Sequence, residues 1–380
     1  DGGGELVLRD FSADRVRFNR DLLKALPDRL RQALTELKPS GAINVHGTLG
    51  FARGPDPDAP IDADWDLNLN FHGNSIEPGV RLENLFGAVR LKGSYRAGSV
   101  RCQGTLALNN LEFHGLQLTD IRGPLWVHDA GVWLGSPTAK SINPVQFEHV
   151  TARMYGGLLL ADGWVEPRGD QTRYVLRAEL RELDLQQFGR DAVTGVSDFT
   201  GKISAQGRLS GTSEGIRSLR GEGTLQLRDA DIYQLPQMVA LLKVLRLKKP
   251  NNTAFTQSDV TFHIEGDHIY LDRIVFEGDA VSLEGQGELG FNRDIRLAFR
   301  ATVAQGERWL PVFREVLKGA AQQIVQIHVG GTLDKPEFRN EPFPGVGKAL
   351  KQLQDTARPL PQLPSNADRR GELFRGTRRR

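Results

Sequence analysis

The chain has 380 residues, 39% of them hydrophobic and 25% charged, a normal balance for a folded protein long enough to hold two or three ordinary domains. Its 49 Lys and Arg face 47 Asp and Glu, a net charge of +2, so the overall field gives no basis for expecting a nucleic-acid partner. A single cysteine, Cys102, excludes an internal disulfide and any cysteine-based zinc centre.

The chain opens on Asp1, already in strand-like text (GELVL) and without a methionine. It therefore reads as a fragment or processed form, with any targeting segment upstream. The motif Gly-x-Leu, followed by an alternating run, then recurs at Gly4, Gly47, Gly104, Gly207, Gly223, Gly287 and Gly331. Its irregular spacing excludes a fixed-period solenoid and fits a long meander of hairpins. Glycine suits turns, bulges or close backbone approach, and the leucines after it point to one face.

Alternation carries the strand assignment in chain order. Trp65, Leu67, Leu69 and Phe71 alternate with Asp64, Asp66, Asn68 and Asn70, and Leu106 and Leu108 follow Gly104 in the same rhythm. Leu225 and Leu227 come next, then Val260, Phe262 and Ile264, then Val281, Leu283 and Leu289. Ile295, Leu297 and Phe299 alternate with Arg296, Ala298 and Arg300, and Val325, Ile327 and Val329 close the series. Such period-two runs predict strands with one apolar and one wet face. No linker or composition shift divides them into sandwich-sized units.

Helices punctuate the strands, each announced by an apolar residue and a proline: near 27–37, 236–247, 311–320 and 345–354. In the second, Pro236 precedes Met238, Leu241, Leu242 and Leu245, which share one helical face, with Lys243 opposite and Arg246 at the flank. This helix is expected to cap the sheet's apolar face, or to rest on a lipid surface with its basic residues at the headgroups. Its apolar run is short and broken by Lys243, so it does not span a bilayer. Residues 355–380, rich in proline and then arginine, read as a disordered tail, a solvated one or one touching anionic headgroups.

Two catalytic signatures match by accident. GTSEG, Gly211–Gly215, fits a nucleophile elbow but lacks the strand-to-helix setting, and reads as a turn. GQGELG, Gly285–Gly290, fits a dinucleotide fingerprint, but the text after it, FNRDIRLAFR, is another strand rather than a helix. The eight histidines are scattered without metal-ligand spacing; His263 and His328 sit on the polar side of strands. No catalytic residue, metal or cofactor is expected.

The order of motifs carries a resemblance. Gly221, Gly223, Leu225, Leu227, Asp229, Ala230, Leu235 and Pro236 form one pattern; Gly278, Gly285, Gly287 and Leu289 form the next. Val329, Gly331, Thr332, Leu333 and Pro336 form a closing V-x-G-T-L-x-x-P. Together with text such as VRLENLFGAVRLKG and MYGGLLLADGWV upstream, they resemble the C-terminal region of the AsmA-like family of bacterial envelope proteins, with the family-like module at roughly 145–345. The resemblance implies a mostly β fold: a long curved antiparallel sheet, an AsmA/TamB-like β-trough over 1–354 with a few short amphipathic helices. It further implies a periplasmic location, an inner-membrane anchor supplied by a segment outside this chain, and an apolar interior that conducts phospholipid between bacterial membranes.

One physical point agrees. A sheet with a continuous apolar face and few helices must roll on itself or hold something apolar. The alternating residues named above are thus the expected acyl-chain lining, Pro236, Met238, Leu241, Leu242 and Leu245 the expected lid, and Lys243, Arg246, Lys248 and Lys249 the expected headgroup contacts. The alternative is an envelope scaffold or assembly factor, filled by its own side chains and acting through protein partners.

Overall fold

The structure, a computed structural model, describes residues 3–25, 31, 35, 37–56, 61–77, 81–113, 115–128, 131–135, 149–168, 171–192, 200–229, 257–277, 281–303, 324–333 and 335–340. Two compact units divide the chain, Asp1–Asn340 and Glu341–Arg380, and the second lies outside the described residues.

In the first unit the strands are β1 (Gly4–Arg17), β2 (Ala42–Arg53), β3 (Asp62–Ile76), β4 (Leu82–Arg96), β5 (Ser99–Phe113) and β6 (Leu116–His128). They continue as β7 (Gly131–Leu134), β8 (Val150–Met154), β9 (Gly157–Arg168), β10 (Gln171–Asp184), β11 (Lys202–Thr212) and β12 (Arg220–Arg228). The last are β13 (Gln257–Glu265), β14 (His268–Glu277), β15 (Val281–Gly290), β16 (Ile295–Val303), β17 (Ile324–Gly331) and β18 (Pro336–Asn340). All 18 belong to one sheet, and every pairing is antiparallel. The expected architecture, a long curved antiparallel sheet with few helices, is the one found.

Each strand pairs with the next, with one exception. β7 pairs β6 through Leu125↔Leu134 and β8 pairs it through Arg122↔Thr151, while β9 pairs both. β7 and β8 therefore share one slot, a single strand interrupted where the chain leaves after Gly135 and returns at His149. The Gly135 amide donates to the Pro124 carbonyl (3.0 Å) and His149 Nδ1 meets Asp162 Oδ2 at 2.6 Å, fixing both sides of the break.

Register shifts bend several strands. Asp10 and Arg15 in β1, Asn84 in β4, Asp120 in β6 and Glu182 in β10 have positive φ, and each lies at or beside a shift in pairing. Such bulges raise the local twist without changing which face is apolar beyond them.

Because the meander is consecutive, its connections alternate between two rims. One rim carries 54–61, 97–98, 129–130, 169–170, 213–219, 266–267, 291–294 and 332–335. The other carries 18–41, 77–81, 114–115, 155–156, 185–201, 229–256, 278–280 and 304–323, and the chain leaves β18 from it. The connections at 18–41, 185–201, 229–256 and 304–323, the longest between successive slots, thus all join strand ends on the second rim.

Two helices there were not foreseen. α1 (Arg20–Ala25) begins where Asn19 Oδ1 accepts from the Leu22 amide at 2.9 Å. α2 (Leu185–Ala192) is capped by Asp184, whose Oδ1 accepts from the Gln186 and Gln187 amides at 3.0 Å each. Of the predicted helix at 27–37, Arg31, Thr35 and Leu37 are helical and the other positions lie outside the described residues. The predicted helices at 236–247, 311–320 and 345–354, and the tail at 355–380, lie outside them entirely.

Candidate functional site

Directly opposed residues in an antiparallel ladder share a face, so the register traces one face across the sheet. On β3, Phe71, Leu69, Leu67 and Trp65 oppose Ile43, Val45, Gly47 and Leu49 of β2 on one side and Gly87, Val89, Leu91 and Gly93 of β4 on the other. Val89 and Gly87 oppose Leu106 and Leu108, and these oppose Gly123 and Ile121. The face continues through Leu125, Leu134, Gly163, Leu176, Leu209 and Gly221, each the partner of the one before.

It then runs through Leu225 and Leu227 to Val260 and Ser258, with Phe262 and Ile264 beside them. Ile269 carries it to Leu289 and Phe276 to Leu283. Ile295, Leu297 and Phe299 oppose Leu289, Gly287 and Gly285, and are followed by Val329 and Ile327, with Val325 in register opposite Ala301. Every strand residue expected in the lining therefore lies on one face. A buried cluster of Val89, Leu108, Ile121, Val150 and Ala152, packed by Phe71, Leu106, Leu125 and Leu159 among others, occupies it between β3 and β9. Burial is complete at Leu283 and Ile327 and lowest at the β1 end, where Leu6 is 55% exposed.

The opposite face is polar and charged along most strands, with Leu160 and Val175 buried on it at β9 and β10. Arg90 forks onto Asp66 (2.9 and 2.8 Å) and holds its carboxyl below the ordinary carboxylate range, chiefly through that hydrogen bond. Arg273 meets Glu284 at 3.1 Å and Arg296 meets Glu288 at 2.8 Å. These exposed pairs contribute little stability and keep this side hydrated.

Glycines of the apolar face, some of them from the recurring motif, have a structural use that the sequence only hinted at. A Cβ on Gly223 would stand 2.6 Å from Cζ of Phe262, one on Gly93 2.7 Å from the Trp65 ring, and one on Gly285 2.8 Å from Cε1 of Phe299. In each case an aromatic ring lies across the glycine of the neighbouring strand. The same close fit sets Leu91 and Leu125 against Gly104 and Leu297 against Gly287.

One feature of the wet face escaped sequence reading. Trp126, Trp133 and Trp164, three of the five tryptophans, are successive register partners there. Arg177 sits 5.6 Å over the Trp164 ring and His128 meets Trp133 edge-on at 5.4 Å, while Trp126 Nε1 is buried with no hydrogen-bond partner among the described residues. The signal was available: Trp126 and Trp133 are equidistant from the dipeptide Asp129-Ala130 that separates the two alternating runs, a spacing that predicts cross-strand partners.

The accidental motifs fall where expected. Gly211 and Thr212 are the last two residues of β11, and Ser213 Oγ accepts from the Thr172 amide at 3.0 Å in a turn; Gly285–Gly290 lies in β15. His263 is on the wet face, where it bonds Asp272 at 2.7 Å and stacks on Tyr270 at 4.8 Å. Burial raises the Cys102 thiol's pKa, as befits an inert strand residue. No cluster of metal-ligating residues occurs among the described residues, and no described helix is long and apolar enough to cross a membrane. The lid residues Pro236, Met238, Leu241, Leu242 and Leu245, and Lys243, Arg246, Lys248 and Lys249, lie outside the described residues. No family model matches the chain, and neither a curated protein nor a solved structure matches it.

Proposed function

We propose that this is a non-enzymatic protein of the bacterial envelope that holds or conducts phospholipid acyl chains along the apolar face of its sheet, between inner and outer membranes. The observation that supports this reading is the continuity of that face. From Leu49 on β2 to Val329 on β17 the cross-strand partners are apolar or glycine with few exceptions, and no second sheet among the described residues covers them. Acyl chains are a fitting cover, since they need no hydrogen bonds from it. The second rim fits the reading too. The connection 229–256, which carries Leu241 and Leu242, joins the ends of β12 and β13 on that rim, and in this reading it serves as the lid, with Lys243, Arg246, Lys248 and Lys249 as headgroup contacts.

The test is capture in cells. Photo-crosslinking residues at 297 and 299 should trap phospholipid, and those at 296 and 300 should not, because successive residues alternate between faces. Equal adducts on both faces, or none on either, would remove the lipid reading. A scaffold filled by its own side chains is the second reading, favoured by the complete burial of Leu283 and Ile327. It predicts no co-purified lipid by mass spectrometry.

A further inference from the structure

Among the described residues the sheet ends at β1 on one side and at β18 on the other, and the two edges are built differently. β18 has five residues, opens on Pro336 and carries Glu337 and Arg339, all features that discourage further pairing. β1 has 14 residues and pairs with β2 alone among the described residues, which leaves a second row of main-chain donors and acceptors open along it. Its first half has no proline and no bulge before the register shift that follows Leu8. There Leu6, Val7 and Leu8 are 55%, 43% and 37% exposed, flanked by exposed Glu5 and Arg9.

The order of those residues, Glu-Leu-Val-Leu-Arg, is complementary to its own reverse. We propose that β1 pairs antiparallel with β1 of a second copy, with Val7 on the two-fold axis. Leu6 of each copy then opposes Leu8 of the other, and Glu5 opposes Arg9, each contact made twice. Neighbouring registers fit worse. Centring on Leu6 sets Glu5 against Val7, and centring on Leu8 sets Leu6 against Asp10. Leu6 and Leu8 oppose Phe51 and Leu49 on the apolar face. An axis perpendicular to the sheet turns both copies' apolar faces the same way, so the face passes from one copy into the other. This inference stands apart from the lipid reading, because a scaffold would dimerise equally well.

Sedimentation of the 380-residue chain over a range of concentrations should show a reversible dimer. Glu5→Arg should weaken it about tenfold or more, since two attractive pairs become repulsive, and adding Arg9→Glu should restore it. Val7→Cys should oxidise to a covalent dimer while Leu6→Cys alone should not, because only the axial residue meets its own copy. Mixing Leu6→Cys with Leu8→Cys should give the heterodimer. Unchanged circular dichroism establishes that each variant is folded. A chain monomeric at every concentration, a dimer indifferent to Glu5→Arg, or crosslinking at Leu6 equal to that at Val7 would overturn the proposal.

Discussion

Phe262 lies across Gly223: a Cβ on the glycine would stand 2.6 Å from the ring's Cζ and 3.0 Å from Cε1. The two are register partners on adjacent strands of the apolar face, so the ring has no room to retreat towards the sheet. Gly223→Val should therefore lower the urea midpoint by the equivalent of about 1–3 kcal/mol through overpacking. In the background of Phe262→Ala the same substitution should cost much less, and the difference is the coupling a double-mutant cycle reads. Additive effects would show that the glycine is needed for its backbone instead.

Asn74 is buried and satisfied on every side. Its Nδ2 donates to the Ser40 and Ala42 carbonyls at 3.1 Å each, and its Oδ1 accepts from the His72 amide at 2.8 Å. Asn74→Ala leaves these groups without their partner, so a loss of about 2–3 kcal/mol is expected in chemical denaturation. Hydrogen exchange should rise first at the start of β2, which Asn74 ties to β3.

Asp184 joins the sheet to α2. The Lys202 ammonium at 2.9 Å, then the Gln187 and Gln186 amides, hold its carboxyl below the ordinary range. A depressed folded-state pKa stabilises the protein fully above the unfolded value near 4, and the contribution is lost as pH falls through the folded value. Asp184→Ala should cost about 1 kcal/mol near neutrality. The gap between wild type and variant should narrow below about pH 4. A constant gap from pH 7 to pH 2 would count against the cap and ion pair as its source.

Leu297 and Ala298 test the two faces with one substitution. Leu297 opposes Gly287 and Val329 on the apolar face, and Ala298 opposes Gln286 and His328 on the wet one. Leu297→Asp should abolish lipid capture at modest cost to stability, since a fluid ligand withdraws from a carboxylate; Ala298→Asp should change neither. If protein side chains pack Leu297, the buried carboxylate should instead cost several kcal/mol or titrate at raised pH.

Much of this was legible in the sequence because a strand's period of two is local. Asp64 to Phe71 alone fix which of β3's residues share a face, and a one-residue slip would put Trp65, Leu67 and Leu69 in water. The expected lining from Trp65 to Val329 accordingly falls on one side. The capping signals Asn19 and Asp184, the latter followed by Gln187, were also present, but helices as short as α1 and α2 have too few apolar positions to show a period. Only the tertiary structure decided what depends on neighbours across strands. It made Gly223 a seat for Phe262, aligned Trp126, Trp133 and Trp164 on the wet face, and joined β7 and β8 into one slot across the break at 136–148. It also put the strand ends joined by the four longest connections between slots on a single rim and, among the described residues, left β1 paired on one side only, because register and strand order come from which backbone groups find partners, and that choice is made between segments distant in the chain.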